Sequence, residues 1–469
     1  MTDRSGLLRQ ASEPAVRGRL PLEELAPDTG RLRRTILQLA WPVAAEMLLG
    51  TLTQVVDMMM VARLGHNAIA AVGLSFRPMF FALSIFLGLG AGTTALVARS
   101  MGRKDPGFAN RIAHQALMAT AILASGLAAL FYALAPRIQA FMGAAPDVLP
   151  LGVAYLRPLA WGMAFMYTSI VITAALRGAG DTMTSMRVNL LANFLNVLLN
   201  YTLIFGHFGF PALGVQGAGI ATSVARVVAA LVLLGLLLGR RLVILPPPRL
   251  LRFEPDVFLR VIRIGGPATL ERVLMSLAML FHLRMVAGQG TVALAAATLS
   301  QNIEELSYMP AIGVAVSAAT LVGQFLGHGR PDAAERAGWE CVRLALFFMG
   351  FMGLLFVLAP GLWLALYAPG SELRPLATTL LRLMGVAQPF VAVAFALSGG
   401  LRGAGDTASV MAATALSMWG VRLSLTYLFM SGLGWGAPGA WLAIVVDSAT
   451  RAAIMAWLFA RGRWRRIEL

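Results

Sequence analysis

A chain of 469 residues that is 58% hydrophobic and 13% charged, with a mean hydropathy of +0.74, is not a soluble globular domain. Its net charge of +16 would suggest nucleic acid in a soluble protein; here the basic residues, all arginine except Lys104, fall in alternate loops between long apolar stretches, so they read as membrane orientation and no nucleic-acid partner is expected. The single cysteine, Cys341, excludes a disulfide framework.

Residues 1–34 form a polar, basic tail with Pro14, Pro21 and Pro27, expected to be mostly disordered. Twelve spans follow, each long enough to cross a bilayer as a helix. They run over about 35–62, 68–98, 112–135, 151–175, 188–206, 215–238, 264–287, 292–326, 343–360, 375–399, 408–430 and 438–460. The first lacks a small-residue cleavage site after it and reads as a retained span, not a cleaved signal peptide. The linker 239–263 carries Pro246-Pro247-Pro248 and several arginines, and it separates lobes 35–238 and 264–460. Residues 461–469 are a basic C-terminal segment. The arginine-rich loops lie on one side, which places both termini and the linker in the cytoplasm of a cell (inner) membrane protein.

The two lobes carry the same text. Leu176-Arg177-Gly178-Ala179-Gly180-Asp181-Thr182 recurs as Leu401-Arg402-Gly403-Ala404-Gly405-Asp406-Thr407, an offset of 225 residues. The same offset maps Pro42 onto Pro267, Glu46 onto Glu271, Val97 onto Val322 and Gly102 onto Gly327. Six spans per lobe is an even number, so both lobes enter from one side and the repeat is parallel. The expected fold is an all-α polytopic membrane protein of twelve transmembrane helices in two six-helix lobes.

Ionisable groups inside spans are costly and invite functional readings. Span one holds Glu46, Gln54 and Asp57. Glu46 and Asp57 are 11 residues apart, nearly on one helix face and about 16 Å apart along the axis, with Gln54 one turn before Asp57. This stripe is expected to face the bundle interior, with Asp57 as its leading functional residue; the alternative is a structural carboxylate, weakened because no arginine in the N-lobe spans is an obvious partner. Span five supplies Asn193, Asn196 and Asn200. Their amides read equally as packing glue or as donors that set a carboxylate's proton affinity. Span seven holds Glu271 and His282, the twins of Glu46 and Asp57; Glu271 reads either as a functional carboxylate or as the structural partner of a C-lobe arginine, with Arg422 in span eleven as the candidate. His282 is a proton carrier or a satisfied interior histidine. Of Glu304 and Glu305, which point about 100° apart, one is expected as a ligand and the other as a salt-bridge partner. Asp447 and Arg451, four apart, read as an internal ion pair. The methionine runs Met58-Met59-Met60 and Phe348-Met349 read first as packing, though methionine also suits a promiscuous pocket.

Gly88-Leu89-Gly90-Ala91-Gly92 lies inside a span with no lysine to reach phosphate, so it reads as a close helix approach or a bend and not as a nucleotide loop. The repeated Leu-Arg-Gly-Ala-Gly-Asp-Thr segment reads as a tight turn whose Asp or Thr caps the next helix. No catalytic constellation supports an enzyme and no filter motif a channel.

Jointly, Trp41-Pro42 with Gln54-x-x-Asp57, Val97 through Gly102, the two turn motifs, Asn196/Asn200, Pro267-x-x-x-Glu271 and Leu321-Val322-Gly323-Gln324 resemble the multidrug and toxic compound extrusion (MATE) transporters over about residues 30–460. The resemblance implies an efflux antiporter that exports small, amphiphilic, often cationic organic compounds against H+ or Na+, with no cofactor, working as a monomer in the bilayer. It also implies ion coupling at Asp57, with Asn196 beside it, and substrate or ion binding at Glu271. Some members have an aspartate where this chain has Asn200, and others an acid near Val391. Their absence tilts the expected ion towards H+, with Glu46 and Glu304 as candidates for the missing charge. A flippase for lipid-linked sugar or peptidoglycan precursors is the alternative; it would favour an arginine-rich cavity.

Overall fold

The computed structural model describes residues 20–26, 28–239, 242–244, 253–365, 367, 370–467 and 469. Residues 1–19 of the expected tail and Pro246-Pro247-Pro248 of the expected linker lie outside the described residues. Twelve long helices carry the fold: α1 (Thr29–Ala62), α2 (His66–Gly102), α3 (Pro106–Phe141), α4 (Leu149–Ala179), α5 (Thr182–Phe205) and α6 (Gly214–Leu238), then α7 (Pro255–Ala287), α8 (Thr291–Gly327), α9 (Pro331–Leu358), α10 (Leu373–Gly403), α11 (Thr407–Gly432) and α12 (Gly436–Arg461). Eleven of them are long and apolar enough to span a membrane. The exception is α7, whose hydropathy is lowered by Arg260, Arg263, Glu271, Arg272, His282 and Arg284.

Helices begin where a side chain satisfies the free N–H groups of the first turn. Asp28 accepts from Gly30 N and Arg31 N at 2.8 and 3.1 Å, so α1 starts six residues before the apolar run. In the repeated motif the aspartate, not the threonine, is the cap: Asp181 Oδ1 accepts from Thr184 N at 3.0 Å and Asp406 Oδ1 from Ser409 N at 3.3 Å. The glycine before each aspartate holds a left-handed backbone, with φ of 93° at Gly180 and 92° at Gly405, which favours glycine.

The lobes meet along α1, α2, α7 and α8. Lipid gives little hydrophobic drive between helices, so small residues that allow backbones to touch decide such seams. Gly102 and Gly327 show this twice over. A Cβ on Gly102 would stand 2.0 Å from Gln324 O, and one on Gly327 would stand 2.1 Å from Arg99 O. Arg99 and Gln324 are themselves twins under the 225-residue offset, so this is one contact seen from both sides of a pseudo-twofold axis. The relation recurs further in. Gly92 lies against Val261 O, and its twin Ser317 donates to Ile36 O at 3.1 Å, Ile36 being the twin of Val261. Gly88 faces Thr269, so the glycine run serves close approach between α2 and α7.

The hydrogen bonds that join the lobes lie in the half of the bundle holding these seams. Thr320 Oγ1 donates to Arg177 O at 2.8 Å, Gln324 Nε2 to Gly178 O at 3.0 Å, and Arg33 Nε to Glu340 Oε2 at 2.7 Å. Leu32, Ile36, Leu39 and Ala40 of α1 are buried in one apolar cluster with Val314, Ala318 and Leu321 of α8. We term this the closed end.

Candidate ion-coupling and substrate site

Two levels of buried polarity lie along the lobes. Nearer the closed end, Glu46 accepts from Arg177 Nη2 at 2.9 Å, Asn189 Nδ2 at 3.0 Å and Ser185 Oγ at 3.3 Å. Its twin Glu271, 2% exposed, accepts from Arg402 Nη2 at 2.7 Å and Thr414 Oγ1 at 3.0 Å. Arg177 and Arg402 are the arginines of the repeated turn motif. Each reaches back 131 residues to its own lobe's glutamate. The expected Glu271–Arg422 pair is therefore corrected. Arg422 lies eight residues beyond Thr414, about 12 Å further along α11, out of reach of the glutamate. Both glutamates thus face a fixed arginine, which suits them as braces between helices.

Deeper in the N-lobe, Asp57 meets span five as expected. Asn200 Nδ2 donates to Asp57 Oδ1 at 2.6 Å. With the Asn196 amide oriented to satisfy its neighbours, its nitrogen donates to Oδ2 and Oδ1 at 2.9 and 3.0 Å, and its oxygen accepts from Thr222 Oγ1 at 3.1 Å. Asn196 and Asn200 are buried, and Asn200 Oδ1 has no hydrogen-bond partner among the described residues. Asp57 itself forms no ion pair among the described residues. Arg226 on α6 is half-buried and makes no ion pair with Asp57. Gln54 is exposed and carries no hydrogen bond to Asp57. Three residues of helix turn it about 60° away, while α5 occupies Asp57's oxygens. Glu46 and Asp57 share a stripe but serve separate clusters.

The same level of the C-lobe holds a charged network. His282 is buried, its Nδ1 3.2 Å from Thr426 Oγ1. Asp447 accepts from Arg422 Nε and Nη2 at 2.9 and 2.5 Å, from Arg451 Nη2 at 3.4 Å, and from Ser417 Oγ. The expected Asp447–Arg451 pair is present but secondary. Glu304 is buried and accepts from Tyr308 one turn on, whereas Glu305 is exposed and forms no ion pair among the described residues, against the expected salt bridge. Met58 and Met60 pack against a buried cluster, and Met349 is core.

Among the described residues no three His, Cys, Asp or Glu side chains converge as metal ligands. The Asp57 cluster offers instead one carboxylate with neutral amide and hydroxyl groups, a set suited to a proton or a monovalent hard cation.

A parallel repeat of six helices, packed on small residues around buried carboxylates, defines a two-lobe membrane transporter. The family model MatE matches residues 42–202 and 267–428, about two thirds of the chain, and the chain belongs to the MATE family. The matched segments begin 225 residues apart and end 226 apart. A probable multidrug resistance protein NorM of Thermotoga maritima is 29% identical over 460 residues, 95% of each chain. A MOP superfamily transporter from Pyrococcus furiosus, described by the reverse polarity of its binding pocket, superposes with a TM-score of 0.87 at 23% identity, covering 97% of this chain and 100% of the other. MATE in its bent conformation gives 0.87 at 24%, covering 95% and 97%. At these identities the two structures speak for the fold.

Proposed function

We propose that this protein is a secondary active efflux antiporter. It exports organic, often cationic, compounds in exchange for H+ or Na+, with H+ favoured, by alternating access of a cavity between the lobes. The observation that carries this reading is the contrast among Glu46, Asp57 and Glu271. Glu46 and Glu271 are each closed by an arginine, whereas Asp57 is held by neutral amides. An ion can drive a transporter only by binding two states unequally, and a carboxylate without a fixed counter-charge can exchange its ion.

The amides define the two states chemically. While Asp57 is ionised, Asn196 and Asn200 donate to it. Once protonated it must donate instead, and the buried, unpartnered Asn200 Oδ1 is an acceptor within the same pair of side chains. A Na+ ion would need several of these amides to present oxygens, so a proton asks for less rearrangement. The seams favour a state closed at one end and open at the other. Arginine-rich loops support placing the closed end in the cytoplasm of the inner membrane, with both termini. The lobes supply both halves of the cavity, so a monomer suffices. The name of the NorM relative supports drug-like cargo, with Asp57 attracting its positive charge.

The flippase alternative is not favoured. Arg402, Arg422 and Arg451 in the C-lobe are engaged by Glu271 and Asp447, which leaves no open arginine cluster of the three for a pyrophosphate. The test uses purified protein in liposomes with a fluorescent cationic dye. A pH gradient and a Na+ gradient are imposed separately, on wild type and Asp57→Asn. Dye movement under one gradient, lost in the variant, is expected; unimpaired movement in Asp57→Asn would remove Asp57 from the mechanism.

A further inference from the structure

The two deep clusters are twins built with opposite contents. In the N-lobe, Asn200 on α5 meets Asp57 on α1, 143 residues away, and Asn196 meets Thr222, 26 residues away. In the C-lobe, Thr426 on α11 meets His282 on α7, 144 residues away, and Arg422 meets Asp447, 25 residues away. The offset is 225 for His282 on Asp57 and for Asp447 on Thr222, but 226 for Arg422 on Asn196 and Thr426 on Asn200. The extra residue has a visible source. Leu416–Leu423 is a π-helical segment, which accommodates one residue more than an α-helix would. It begins two residues after Thr414, which is still at offset 225 from Asn189, and Arg422 lies in its last turn. Without it the position opposite Asp447 would fall to Val421. Arg451 and Arg226 complete the match at 225.

The positive charge in the C-lobe cluster is thus covalent. Arg422 is 7% exposed and Asp447 fully buried, and the guanidinium donates two hydrogen bonds to one carboxylate oxygen. Around them stand Arg451, Ser417, Thr426, His282 and the Glu304–Tyr308 pair. In the N-lobe the corresponding place beside the carboxylate is occupied by neutral amides.

We propose that Arg422 is a tethered cation that permanently fills the C-lobe counterpart of the exchangeable site at Asp57, and that Arg422→Asn turns Asp447 into a second exchangeable site for a proton or a monovalent cation. The inference rests on the Asp57 reading in treating the N-lobe site as exchangeable, but its own observable is at Asp447. With Arg422 in place, coupling runs through one lobe. With asparagine there, Asp447 keeps the Ser417 hydroxyl and only the longer 3.4 Å contact from Arg451 on its own helix, and loses the two-bond guanidinium that fills the site.

The test is proton uptake by full-length purified protein after an acid pulse, read with a pH indicator, alongside equilibrium binding of labelled Na+. Relative to wild type, Arg422→Asn is expected to take up about one additional proton per chain, or to bind about one additional Na+. The gain should vanish in Arg422→Asn/Asp447→Thr, which writes the N-lobe pair into the C-lobe, and persist in Asp57→Asn/Arg422→Asn. The proton and Na+ arms separate the two possible occupants. A folded, monodisperse Arg422→Asn protein with the wild-type count in both arms overturns the proposal. If Arg422→Asn does not fold, the double variant Arg422→Asn/Asp447→Thr must fold with the wild-type count. A chain that folds only with the Arg422–Asp447 pair intact would make the pair a structural brace and also overturns it. Failure of the Asp57 reading shows separately, as Asp57→Asn alone retaining the wild-type count.

Discussion

At Glu271 one carboxylate oxygen is taken by Arg402 and Thr414, while Oε2 is buried without a partner among the described residues. Such a group tolerates no loss of its arginine, because removing one member of a buried pair leaves the other charged and desolvated. Arg402→Ala is expected to cost about 3–5 kcal/mol of stability, seen as a lowered unfolding temperature in detergent, and Arg402→Gln/Glu271→Gln should recover most of it. At Asp57 the balance differs. Asn200→Ala removes a short, charge-assisted bond, whose typical value is about 1.5–3 kcal/mol, and should shift the apparent affinity for the coupling ion about tenfold or more with little effect on assembly. Flux measured against pH and Na+ concentration checks this; an unchanged ion dependence would place Asn200 outside the site. Much of this chemistry was legible in the chain. Helical spacing put Asn196 and Asn200 on one face, and the family resemblance put Asn196 beside Asp57. The Glu46–Arg177 and Glu271–Arg402 pairs were available too, since glutamate and motif arginine both recur at one offset. They were missed because the motif arginines sit at helix ends and read as loop charge. Arg226 carried the same signal through its twin Arg451.

On the scale of the helix, α5 and α11 show how one element accepts an extra residue without losing its partners. Asn189, Asn196 and Asn200 are spaced by seven and four, and their counterparts Thr414, Arg422 and Thr426 by eight and four. The π segment absorbs the difference. Deleting Gly420, whose added Cβ would meet nothing closer than a leucine methyl at 3.6 Å, restores the α5 spacing. The deletion should leave Thr414 on Glu271 and Arg422 on Asp447. A folded protein with an unfolding temperature within a few degrees of wild type is expected, about the shift that 1 kcal/mol produces. One further residue inserted at the same place rotates Arg422 and Thr426 by about 100° and should unfold the lobe. Equal damage from both changes would mean that the π geometry itself, and not the register, is required. This feature was not readable in the chain. An insertion of one residue inside an apolar run changes no composition and leaves the flanking motifs in place. Helix starts were readable in kind and misplaced in position, because polar first turns capped by Asp28 and Asp105 extend helices past the apolar boundary.

The whole molecule is two copies of one lobe touching through their twins, and the contact at Gly102 and Gly327 lies where α2 and α8 cross at the closed end. Neither glycine has room for a methyl group: the nearest atoms are backbone carbonyl oxygens of the opposite lobe, which cannot rotate away. A larger residue must therefore move a lobe. Gly102→Val acts on one side of the pseudo-twofold and Gly327→Val on the other, so the two should have like effects, and together should exceed either alone. Wedging this seam also strains Gln324 Nε2 on Gly178 O and Thr320 on Arg177 O, the bonds that hold the end shut. The expected outcome is a population shifted from the closed seam towards separation at this end. Two engineered cysteines flanking the seam, one in each lobe, would report it through loss of cross-linking and gain of thiol labelling, since the native Cys341 is buried. Valine variants that cross-link like the parent would show that the seam yields by sliding α2 along α8, and the glycines would then limit packing without setting the position of the lobes.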